Sequence, residues 1–137
     1  MVRYLEHHHT RNTLQMAVLS SPSSDIEWVP NTDIYENECS FVIRMEIAGV
    51  NREDIQITLS DRHLTVRGRR PDPHRTNQCR FRQMEINYGT FWRRLLLPGT
   101  VNNTHAKVYY RHGFLMIELP KATQAEHTTV RLAIEQE

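Results

Sequence analysis

Three adjacent histidines, His7–His9, are the first residues of this 137-residue chain whose type and spacing could do chemistry. Neutral imidazoles bind divalent metals, and His74, His105 and His112 could in principle add ligands. A structured site needs more than supply. No HExxH and no paired Cys/His spacing is present, so the histidines read as solvated side chains and no metal is expected. Cys39 and Cys79 are far apart with no CxxC, which fits reduced thiols in a cytoplasmic protein. Cys79 could form a disulfide between subunits, but an ordinary thiol is the simpler reading. Serine, histidine and aspartate all occur, yet no nucleophile elbow, oxyanion-type glycine turn or close carboxylate pair does. No GxxxxGK phosphate loop appears either. The chain reads as a protein that is not an enzyme and uses no cofactor.

The bulk properties narrow the class further. With 17 basic and 16 acidic residues, the chain lacks the basic excess of a nucleic-acid binder. No apolar run approaches the ~20 residues that span a bilayer. The opening residues carry Glu6 and only a short apolar patch, unlike a secretory signal. A chain of this length buries roughly 65–70% of its unfolded surface, enough for one domain.

Residues 1–27 mix the histidine triplet, an apolar patch (Leu14, Met16, Val18, Leu19) and a breaker-rich "SSPSSD", and read as a mobile arm. The patch lacks the long basic face of a membrane-surface helix, so contact with other proteins or burial in an assembly suits it better than stable membrane insertion. From Trp28 the hydrophobic period is two. "SFVIRMEI" sets Phe41, Ile43, Met45 and Ile47 on one face, "DIQITLS" does so with Ile55, Ile57 and Leu59, and "FLMIELP" with Leu115, Ile117 and Leu119. "FWRRLLLP" and "HAKVYYR" alternate less cleanly but are rich in aromatic or branched residues. Turn signals at Ala48–Gly49, Ser60–Asp61, Tyr88–Gly89, Pro98–Gly99 and His112–Gly113 separate these runs. Short half-buried strands at short spacing predict an all-β, antiparallel immunoglobulin-like sandwich over 28–121, followed by an extension over 122–137. A long connection, "PDPHRTNQCRFRQM", interrupts the pattern. Loops of that length are functional or build structure elsewhere, and Cys79–Met84 has strand character suited to pairing with another subunit's edge.

Taken together, these runs resemble the small heat-shock protein, or alpha-crystallin, family from about Trp28 to Glu137. "GFLMIELPK" (Gly113–Lys121) is similar to that family's G-x-L-x-I-x-x-P-K. "AGVNREDIQITL" and "YGTFWRRLLLPGTV" match two more of its motifs, in the right order. Ala48 stands where proline is usual, Phe114 where valine is usual, and Leu96 where arginine is frequent. The resemblance implies strand exchange through Cys79, Arg80, Phe81, Arg82, Gln83 and Met84, pairing with a partner's strand near Thr32–Glu36. It also implies a dimer-interface role for Arg93, through carboxylate pairs, and a terminal aliphatic-x-aliphatic motif. "LAI" at Leu132–Ile134 fits that motif, and Val130–Leu132 offers an overlapping register.

The terminal "VRLAIEQE" then has a physical explanation. A strand edge lined by Ile55 and Ile57 on one side and Ala106 and Val108 on the other would accept Val130, Leu132 or Ile134 in alternate pockets. Each aliphatic contributes about 1.5–3 kcal/mol on burial, and ordering the tail costs about 1 kcal/mol or more per residue. Single links are therefore weak, and multivalency must hold an assembly together. The functional expectation is an ATP-independent holdase, a dynamic homo-oligomer of dimers that binds unfolding proteins. The alternative is a monomeric co-chaperone-like interaction module, which needs neither the long loop nor the terminal motif.

Overall fold

The computed structural model describes residues 26–74 and 78–136. The arm residues Leu14, Met16, Val18 and Leu19 and the triplet His7–His9 lie outside this range. The strands are β1 (Thr32–Glu36), β2 (Ser40–Glu46), β3 (Gln56–Ser60), β4 (His63–Arg70), β5 (Gly89–Leu96), β6 (Lys107–Arg111), β7 (Phe114–Pro120) and β8 (Thr129–Leu132). They form two four-stranded antiparallel sheets, ordered β1-β2-β7-β6 and β5-β4-β3-β8. The one helical element among the described residues is a 3-10 turn at Arg52–Asp54.

Alternation writes these strands. In β2, Phe41, Ile43 and Met45 point inward while Arg44 and Glu46 face water. β3 contributes Ile57 and Leu59, β4 Leu64 and Val66, and β7 Leu115, Ile117 and Leu119, all but sealed from solvent. β5 follows the rule less obviously. Phe91 and Leu95 are buried, as is Leu97 just beyond the strand, while Leu96 between them is 56% exposed. Between β6 and β7 the chain reverses at His112 (φ 54°) and Gly113 (φ 81°). Two left-handed residues in a two-residue hairpin match the right-handed twist of the flanking strands. A Cβ at Gly113 would lie 2.8 Å from that of Ala48, so only glycine fits.

Burial already includes Ile26, two residues ahead of the change of period, as well as Trp28. Trp28 meets Phe91 edge-on, with ring centroids 5.2 Å apart. Phe91 is the largest fully buried side chain among the described residues, on β5 where it pairs with β4. Phe91→Ala should cost about 3–5 kcal/mol in a urea unfolding experiment. Phe114→Ala, at a site 42% exposed, should cost under about 1 kcal/mol.

Candidate interaction groove

A two-sheet sandwich has two open sides, where strand edges end and the gap between sheets meets water. On one side the edges are β3 and β6. Ile57 and Val108 lie buried there, with buried Ile55 just before β3 and partly buried Ala106 just before β6. The chain's own tail covers them. β8 runs antiparallel to β3 in the register Ile57↔Leu132 and Leu59↔Val130. Val130, Leu132 and Ile134 all pack, partly buried, against the core.

Polar contacts fix both ends of the tail. At its start, Thr129 Oγ1 donates to Ser60 Oγ at 3.0 Å, Asn103 Nδ2 donates to Thr128 Oγ1 at 3.1 Å, and His127 Nδ1 lies 3.0 Å from Asp61 Oδ1. At its end the Glu135 amide donates to the Val108 carbonyl at 2.8 Å. Arg52, in the 3-10 turn, donates to the Glu135 carbonyl at 2.9 Å and to the Tyr110 carbonyl at 3.4 Å. The tail thus begins on β3 and finishes on β6, bridging the two sheets.

Ile55, Ile57, Ala106 and Val108 are the groove residues that the sequence pattern selects. Arg52 and Tyr110 had no signal of their own. Nothing in a lone arginine or tyrosine announces that a turn will carry it to a groove's rim. The Tyr110 hydroxyl donates to the carbonyls of Ile47 and Val50 at 2.9 and 2.8 Å, which ties β6 to the chain after β2.

The opposite side of the sandwich, between β1 and β5, is closed by residues 26–30. Glu27 and Trp28 amides donate to the Thr90 carbonyl at 2.8 and 3.3 Å, and Trp28 Nε1 donates to the Gly89 carbonyl at 2.8 Å. The Arg70 guanidinium stacks over the Trp28 ring at 4.0 Å. Arg93, to which the resemblance gives a dimer-interface role, donates within the single chain to the Pro30 carbonyl at 2.8 Å, just before β1. Burial pushes its pKa down.

Cys79–Met84 forms no strand within the single chain. A strand needs a ladder partner, and no strand among the described residues pairs with this segment. It is exposed throughout, with Phe81 and Met84 in water, as is Ile86 beyond it. β1 is bonded on one side only, and its Ile34 and Tyr35 are exposed. The described residues, His74, His105 and His112 among them, hold no group of three side chains suited to a metal ion. Nor is any described helix long and apolar enough to cross a membrane.

With this geometry in view, the comparisons with known proteins are decisive about family. The chain belongs to the Hsp20/alpha crystallin family, whose model matches residues 33–135. It is 28% identical to small heat shock protein C2 of Rickettsia felis over 106 residues, covering 77% of this chain and 69% of that protein. Small heat shock protein C4 of the same organism is also 28% identical, covering 76% and 64%. The chain thus spans about two thirds of the length of these relatives. Among solved structures, hspA from Xanthomonas axonopodis is 33% identical with a TM-score of 0.63, covering 69% of this chain and 94% of that one. A small heat-shock protein from Xylella fastidiosa, described as having a distinct high order structure, is 29% identical with a TM-score of 0.63, covering 80% and 99%.

Burial pushes the Tyr110 phenol above its ordinary pKa of about 10. A raised folded-state value means the unfolded chain loses this proton first. The stabilisation is therefore complete below pH ~10 and disappears as pH rises through the folded value. Tyr110→Phe should cost about 0.5–1.5 kcal/mol at neutral pH. In urea titrations at a series of alkaline pH values, the variant should lose stability above pH ~10 less steeply than the parent chain.

Proposed function

We propose that this protein is an ATP-independent holdase chaperone, working in the cytoplasm as a dynamic homo-oligomer of strand-exchanged dimers that binds unfolding proteins. The observation that carries the reading is the edge groove between β3 and β6, occupied by an extended aliphatic segment through strand pairing. An unfolding protein offers the same two things, apolar side chains and unpaired backbone. A groove that accepts one extended aliphatic segment accepts others when the tail leaves.

Two further features support assembly. The exposed Phe81 and Met84 of the long loop, and the exposed Ile34 and Tyr35 on the free edge of β1, are mutually suited to burial across a dimer. Arg93 holds Pro30, immediately before β1, and so positions the edge that would receive a partner's Cys79–Met84. In the single chain the tail lies in its own groove. The linker over 122–128 can instead direct it to a neighbour, with the same backbone pairing and the same pockets. Tail links made in this way are individually weak and sum through multivalency. Closed shells follow where the geometry of head-to-tail contacts closes.

Removing the tail from Thr129 onward should collapse the particle toward dimers in light scattering. A large particle that survives the truncation contradicts the tail-linked assembly. At equimolar subunits and without nucleotide, the full chain should suppress heat-induced aggregation of an unrelated enzyme. A folded chain that gives no suppression favours the monomeric adaptor instead.

A further inference from the structure

Strand pairing alone does not account for the whole docked tail. β8 and β3 stop pairing at Leu132↔Ile57, yet Ile134, two residues on, still packs against the core. What holds it lies elsewhere. The Glu135 amide is bonded to the Val108 carbonyl of β6, and the Glu135 carbonyl is bonded to Arg52. Residue 135 is therefore gripped from both sides at the point where the tail crosses from one sheet to the other.

We propose that the β3–β6 groove is a three-site reader of alternating aliphatics, in which Arg52 and the Val108 carbonyl build the third site around Ile134. This deepens the tail–groove reading above and rests on it for its functional meaning. Register within the groove is set whether or not the chain assembles. A one-residue slip would turn every tail side chain to the opposite face, whereas a two-residue slip preserves the facing. With two sites, Val130/Leu132 and Leu132/Ile134 would be equivalent occupants. With three sites, only the observed register fills every one with an aliphatic group. A slip of two in one direction brings Thr128 into the set, and in the other it brings Gln136.

Both hydrogen bonds of Arg52 at this end go to backbone carbonyls, which every residue carries, so they do not read side chains. Its role is to hold the chain in place so that the third pocket is used. A guanidinium donating to both the Tyr110 and Glu135 carbonyls spans the gap that neither strand edge closes.

Hydrogen exchange resolved to single residues, on the full-length chain, tests the third site. Arg52→Ala should speed exchange at the Glu135 amide at least fivefold while β4 and β5 amides keep their rates. An unchanged Glu135 rate, or equal acceleration throughout β4 and β5, overturns the proposal. Arg52→Lys, with a single donor head in place of the fork, should fall between the two. Register is read separately by disulfide trapping in a Cys39→Ser/Cys79→Ser background. Thr58→Cys should trap Arg131→Cys in the native tail. With Thr128→Val and Ile134→Ser added, the aliphatic triad moves by two, and trapping should shift to Thr129→Cys. Trapping that stays at position 131 overturns the three-site reading. If the tail truncation leaves a large particle while these results hold, the tail-linked assembly fails and the third site stands.

Discussion

A sandwich of two four-stranded sheets cannot close its own sides, and the protein's behaviour follows from how each side is covered. Backbone groups along a strand edge are unbonded on one flank, and the gap between the sheets exposes core side chains to water. On the β1–β5 side, residues 26–30 provide a cover anchored by buried side chains. Buried Ile26 and Trp28, the Trp28 indole bond to Gly89 and the stacked Arg70 anchor it. On the β3–β6 side the cover is a four-residue strand and the residues just after it, whose three aliphatic groups are only partly buried and whose polar fixings are largely exposed. One closure is part of the core. The other lies against the core's edge and stays partly exposed.

The two covers also differ in what holds them. Three half-buried aliphatics contribute less than the roughly 1.5–3 kcal/mol each that full burial would bring. Exposed contacts such as His127–Asp61 add little, because water screens them. Against these stands the entropy of ordering the tail, about 1 kcal/mol or more per residue. The tail is therefore held far less firmly than the sandwich, whose side chains Ile43 on β2, Phe91 on β5 and Ile117 on β7 are sealed from solvent.

Much of the sandwich was legible in the sequence because alternation is a local signal. Period two from Trp28 onward marks the inward faces of β2, β3 and β7, and the His112–Gly113 turn sits where its dihedral demands place it. "FWRRLLLP" was harder to read, since Leu96 is as apolar as Leu95 and Leu97 yet faces water. The apolar run of β3 and the aliphatic stripe of the tail were each legible, but which chain's tail pairs with which β3 was not. Pairing and pockets are the same in either case, and the linker over 122–128 does not choose. Ile26 hid among breaker residues. Arg52 and Tyr110 hid because a hydrogen bond to a distant carbonyl leaves no pattern. Cys79–Met84 has strand composition without a strand, because a ladder is a property of two segments and only one is present in the single chain.

The central claim is that the β3–β6 groove must open for the protein to protect others. Locking it tests this most directly. A chain carrying Thr58→Cys and Arg131→Cys, with Cys39 and Cys79 replaced by serine, joins a register pair of β3 and β8 when oxidised. The account predicts that the oxidised protein stays folded, loses most of its suppression of client aggregation, and regains it on reduction. Undiminished suppression by the locked protein would contradict the account.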